Sequence, residues 1–78
     1  MEFDLDTINR KIINWLIVQR NLSGKTQLEL SLLLGKPQSY VSKYETFERK
    51  LSVNEFLYIC RVLSCNPINI IQEILNYA

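Results

Sequence analysis

TQLELSLLLGKPQSYVSKYE, Thr26 to Glu45, reads as two short helical patterns joined by Gly35-Lys36-Pro37, and the rest of the chain is arranged around it. Thr26 followed three residues later by Glu29 is a capping box. The threonine hydroxyl accepts the N–H of the third helical residue, and the carboxylate reaches back to the N–H of the cap. A helix is therefore expected to start at Gln27. Leu30, Leu33 and Leu34 then recur at helical spacing, and the small Ser31 marks a place where a second helix can approach closely. Gly35 supplies the positive φ that ends a helix. Pro37 suits a first helical turn because its missing N–H would be unpaired there, and Val41 with Tyr44 gives an inward pair. The spacing predicts the second helix over 37–45.

Two short helices joined by a tight turn containing glycine are the parts of a helix-turn-helix. The second would expose Gln38, Ser39, Ser42 and Lys43, hydrogen-bonding side chains suited to reading a polar partner. In these residues the sequence resembles the Cro and cI-type repressors, the xenobiotic-response-element-like helix-turn-helix proteins. The likeness runs from Ile13 to Ile74. It is most specific in LGKPQSYVSKYE (Leu34 to Glu45), then in ERKL (Glu48 to Leu51) and EFLYICRVL (Glu55 to Leu63). The resemblance implies an all-α, lambda-repressor-like domain of five helices that binds double-stranded DNA sequence-specifically as a transcriptional regulator, usually a repressor. The matching positions for base reading are Gln38, Ser39, Ser42 and Lys43, and the loop after the second motif helix lies along the DNA backbone in such proteins.

Backbone contacts are expected from Gln27 at a helix N-terminus, from Lys36 and Tyr40, and from Arg49 and Lys50 in that loop, where cations release counterions on meeting phosphates. Two departures from the family pattern stand out. Leu22-Ser23-Gly24-Lys25 makes the entry loop longer than usual. In the family the counterpart of Glu45 often pairs with an arginine on the first helix; counted back through this loop the position is Ile17, and Arg20 would serve only in a shifted register. Phe47 stands where the family commonly has glycine.

At 78 residues the chain reads as one small domain, in which folding buries only about 60–65% of the unfolded surface, so oligomerisation would help its stability. Hydrophobic residues make up 47% and charged residues 22%, which places it in the globular class. The acidic start MEFDLD is unlike a signal peptide, and apolar runs such as Trp15 to Val18 are far too short for a membrane, so a cytoplasmic location is expected. With no histidine and only Cys60 and Cys65, neither a zinc set nor a disulfide framework is expected, and no cofactor is implied. Cys60 reads as a buried thiol and Cys65 as a partly exposed one at a helix end. No nucleophile motif or glycine-rich phosphate loop appears, which argues against an enzyme. The net charge of +1 says little about a nucleic-acid partner, but its distribution says more. The segment 10–25 holds Arg10, Lys11, Arg20 and Lys25 with no acid, and 36–50 holds Lys36, Lys43, Arg49 and Lys50 against Glu45 and Glu48.

Around the motif, Asp6 or Thr7 can cap a first helix that continues to Asn21, and its apolar residues span an arc of roughly 200°, wide enough for a central helix. Ser52 with Glu55 is a second capping box, opening a helix with Val53, Phe56, Leu57, Cys60 and Leu63 on one face. Asn66-Pro67 starts a last helix to Asn76. Ile68, Ile71 and Leu75 form one stripe on it, and Ile70, Ile74 and Tyr77 another. A terminal helix on so small a domain cannot easily bury both, and the stripe of Ile70, Ile74 and Tyr77 is the candidate homodimer interface. The rival reading, from a different class, is a protein-interaction module of the same fold, such as an antitoxin binding its toxin, with the polar face of the second motif helix idle.

Overall fold

The computed structural model describes residues 4–76. Five helices follow one another: α1 (Leu5–Leu22), α2 (Gln27–Leu33), α3 (Tyr40–Glu45), α4 (Val53–Leu63) and α5 (Ile68–Leu75), with no strand among the described residues. Both capping boxes form: the Thr26 and Ser52 hydroxyls accept the N–H groups of Glu29 and Glu55, whose carboxylates accept the cap N–H groups. Helix α1 starts earlier than expected. Asp4, rather than Asp6 or Thr7, caps it by accepting the Thr7 N–H at 2.9 Å. At the start of α5 the Asn66 Oδ1 accepts the Ile68 N–H at 3.0 Å.

Helix α1 packs against α3, α4 and α5, the central place its wide apolar arc requires. The core joins Ile13 and Leu16 of α1 to Leu30, Leu34, Tyr40, Val41 and Tyr44 of the motif and to Ile59, Cys60 and Leu63 of α4. Trp15 lies tilted against Phe56, their ring centroids 6.3 Å apart. Where α2 meets α3, the buried Ser31 hydroxyl accepts the Val41 N–H at 3.1 Å. A small residue thus allows the close approach and satisfies a donor at the start of α3. Cys60 is buried and Cys65 half-buried, and burial pushes the Cys60 thiol up to about 12. Helix α4 ends on Ser64 in the left-handed conformation, with the Cys65 N–H bonded to the Cys60 carbonyl in a Schellman-type closure.

Four further expectations need correction. Helix α3 begins at Tyr40, because residues 37–39 form a turn in which the Tyr40 N–H bonds to the Pro37 carbonyl at 3.0 Å. Leu33, spaced like a core residue, is exposed, because the short α2 buries only Leu30 and Ser31, with Leu34 just after it. Val53 and Leu57 are likewise exposed, since α4 buries Ile59, Cys60 and Leu63 instead. The fourth concerns α5. Ile70 and Ile74 are 1% and 8% exposed within the chain, so they form the inner stripe of α5, the helix that packs on α1. They are unavailable as a dimer surface. The outward stripe is Ile68, Ile71 and Leu75, at 53%, 42% and 77% exposure. Tyr77 lies outside the described residues.

Candidate nucleic-acid interface

The motif is locked from behind by one carboxylate. Glu45, at the end of α3, accepts two hydrogen bonds from the Arg20 guanidinium, Nε to Oε2 at 2.7 Å and Nη2 to Oε1 at 3.0 Å. Gln27 Nε2 donates to Oε1 at 2.9 Å, and Arg20 Nη1 donates to the Lys25 carbonyl at 2.8 Å. The side chains of Arg20 and Glu45 are only 11% and 4% exposed. The paired carboxylate raises the Arg20 pKa above its ordinary value, chiefly by accepting its hydrogen bonds. Arg20 therefore fills the role for which simple counting back gave Ile17. The longer entry loop shifts the register, and the same arginine holds that loop by its last carbonyl.

On the other side, Lys36, Pro37, Ser39, Tyr40, Lys43 and Arg49 line an open cleft of ≈ 290 Å³. The structure thus brings two of the residues expected to read bases, Ser39 and Lys43, together with three expected to meet the backbone. Gln38 is exposed beside them in the 37–39 turn, and Ser42 is half-buried with its hydroxyl donating to the Ser39 carbonyl at 3.0 Å. Because α3 starts at Tyr40, Gln38 and Ser39 precede the helix instead of forming its first turn. Lys50 is exposed in the loop beyond. Gln27 has its side-chain amide committed inward to Glu45.

Tyr40 is the floor of this cleft rather than an exposed contact. Its ring is buried, its hydroxyl donates to Glu55 Oε2 at 2.7 Å, and the cations of Lys36 and Arg49 lie 5.5 and 5.2 Å from its ring centre. Such distances fall within cation–π range. Arg49 also donates to Glu55 Oε2. Glu55 was legible in the sequence only as a capping residue; its second role needs the tertiary fold. Burial, then the bond to Glu55, pushes the Tyr40 hydroxyl up to about 12. The Ser52 backbone N–H, then the Tyr40 hydroxyl, hold the Glu55 carboxyl down to about 2.

That depression has a sign. A carboxyl whose folded pKa lies below its unfolded value stabilises the fold above the unfolded value and loses that contribution as pH falls through the folded one. Glu55 should therefore contribute fully above about pH 4.5 and lose its contribution toward pH 2. Thermal midpoints of wild type and Glu55→Gln, followed across that window, should lie furthest apart at the upper end and converge at the lower. Parallel curves would remove Glu55 from the acid response.

Past α3, Phe47 takes a positive φ of 66° and is half-exposed, with the Arg10 guanidinium 5.9 Å from its ring centre. The left-handed turn explains why glycine is common there in the family, since a side chain in that conformation costs about 1–2 kcal/mol.

The geometry agrees with what the chain is similar to. A helix-turn-helix family model matches residues 17–68, which span α2 to α4 together with the end of α1 and the first residue of α5. Among solved structures, an XRE-family like protein from Pseudomonas syringae pv. tomato str. DC3000 superposes with a TM-score of 0.82 at 36% sequence identity, covering 90% of this chain and 85% of that one. A search of curated proteins finds no match. With the motif locked by Arg20 and Glu45, the family match spanning it, and a solved relative of the same fold over nearly its whole length, the chain belongs to the XRE-type, Cro/cI-like helix-turn-helix family.

Proposed function

We propose that this helix-turn-helix protein is a cytoplasmic repressor that binds a palindromic DNA operator as a homodimer. The observation that carries the DNA-reading part is the cleft in which Ser39 and Lys43 lie beside Lys36 and Arg49, next to the exposed Gln38. Base-edge donors and acceptors adjoin cations suited to phosphate, the division of labour that sequence-specific binding needs. In this reading Gln38, Ser39, Ser42 and Lys43 face base edges, with Gln38 able to pair bidentately with adenine and Lys43 able to donate to guanine. Lys36, Arg49 and Lys50 meet phosphates. Tyr40 supports them from beneath, and Gln27 contributes through the N-terminal end of α2. The exposed stripe of Ile68, Ile71 and Leu75 serves the dimer. A two-fold pair would set its reading elements about 34 Å apart, one DNA turn, and so favour an inverted repeat.

Selection of preferred sites from a random duplex library tests this directly. Wild type should yield an inverted-repeat consensus. Gln38→Ala should lose about 1–3 kcal/mol on the best site and relax preference at one symmetric pair of positions, with affinity for random DNA nearly intact. Identical consensus sequences from both proteins would take Gln38 out of the reading set. The protein-interaction reading has one observation in its favour, the exposed Leu28, Leu32 and Leu33 on α2. Recovery of no consensus at all would favour it.

A further inference from the structure

We propose that Glu55 is a positioning residue for DNA binding, holding the Arg49 guanidinium over Tyr40 so that Arg49 and Lys36 form a preset seat for one backbone phosphate of the operator. The inference rests on the DNA-binding reading and deepens it. Glu55 joins three parts of the chain. Its Oε1 accepts the Ser52 N–H at 2.9 Å at the start of α4, and its Oε2 accepts the Tyr40 hydroxyl at the first residue of α3 and a guanidinium N–H of Arg49 from the intervening loop. The Glu55 side chain is 20% exposed and that of Arg49 43%. The acid is thus partly covered, while the cation still reaches solvent in the cleft. A guanidinium carries five N–H donors in a rigid fork, so a bond to Glu55 leaves others for a phosphate.

Two consequences of this arrangement oppose one another. An arginine on a loop ordinarily loses rotamer freedom when it meets a phosphate, and one already fixed by a carboxylate and a ring avoids most of that loss. Against this, the Glu55 charge lies close to the seat and repels any polyanion. The first effect matters only where a phosphate must occupy one defined place, as in the operator complex. The second acts on every duplex alike, because non-specific binding follows charge. Glu55 therefore raises the preference for the operator over random DNA by fixing Arg49 at some expense of general attraction. Lys36, the other cation of the seat, has no such carboxylate partner among the ion pairs of the described residues.

The test measures affinity for the selected duplex and for a random duplex, using wild type, Glu55→Gln, Arg49→Ala and the double variant, each first shown to be folded by its thermal transition. Glu55→Gln should weaken the selected duplex threefold to tenfold while leaving random binding unchanged or tighter, and in the Arg49→Ala background it should weaken neither. Tyr40→Phe, which removes one hydrogen bond to Oε2 without a change of charge, should show the same preference loss at smaller size. Equal tightening on both duplexes by Glu55→Gln would overturn the proposal, leaving the carboxylate as a mere repellent. A loss of the same factor with Arg49 already gone would also overturn it, by assigning the effect to the α4 cap. Wild type that prefers no duplex would remove the DNA-binding reading and this inference with it, an outcome distinct from the other two.

Discussion

Arg20→Ala is expected to cost about 3–5 kcal/mol of folding stability, because it leaves the carboxylate of Glu45 in place, nearly excluded from water and without its cation. The side-chain amide of Gln27 would remain as a partner, but a neutral donor does not replace a bidentate guanidinium. A domain of this size has roughly 4–12 kcal/mol in total, so the variant should lose between a quarter and all of its stability and unfold at a clearly lower temperature. Denaturant titration at neutral pH measures the loss. The paired replacement Arg20→Met with Glu45→Leu should recover most of it, since burying two apolar chains avoids the desolvation that the ion pair had to offset. A loss below about 1 kcal/mol in Arg20→Ala would show that Glu45 relaxes to water, and that the pair is not what joins α1 to the motif. The same arginine holds the Lys25 carbonyl, so loosening of the entry loop should accompany the loss of stability.

The fold was legible where its determinants are local, and less so where they depend on register or on neighbours. Thr26 with Glu29 and Ser52 with Glu55 announce two helix starts within four residues each, and both form as read. Ser31, marked only by its size, turned out to be both the point of close approach and a hydrogen-bond acceptor for α3. The partner of Glu45 was harder, because a loop of unusual length breaks any count back to α1 and only the tertiary fold shows that Arg20 reaches it. The onset of α3 was misplaced because inward spacing of Val41 and Tyr44 fixes which face is buried, while the turn at Pro37 fixes where the helical ladder begins. Within the candidate interface, charge and hydrogen-bonding capacity point to Lys36, Lys43 and Arg49. Nothing local pointed to Glu55 beneath them, whose partners lie 15 and 6 residues away in the chain.

Helix α5 shows the same limit most sharply, and it carries the largest expected effect. Two apolar stripes lie side by side on it, and periodicity alone cannot say which one meets α1. Ile70→Asp should unfold the domain, with a loss above about 4 kcal/mol, because Ile70 is 1% exposed and a carboxylate there would have to be protonated or hydrated inside the core. Ile71→Asp changes the neighbouring position by the same chemistry on the more exposed side, and its monomer should lose only about 1–2 kcal/mol and stay folded. The two variants therefore separate what one substitution would confuse. Loss of dimer in Ile70→Asp would mean nothing, since an unfolded chain has no interface to lose. Loss of dimer in a folded Ile71→Asp, seen as a halved mass by sedimentation with an unchanged helical signal, would place the interface on the stripe of Ile68, Ile71 and Leu75. A folded Ile70→Asp would contradict the packing of α5 on α1, and an Ile71→Asp protein that remains dimeric would move the dimer contact off this helix.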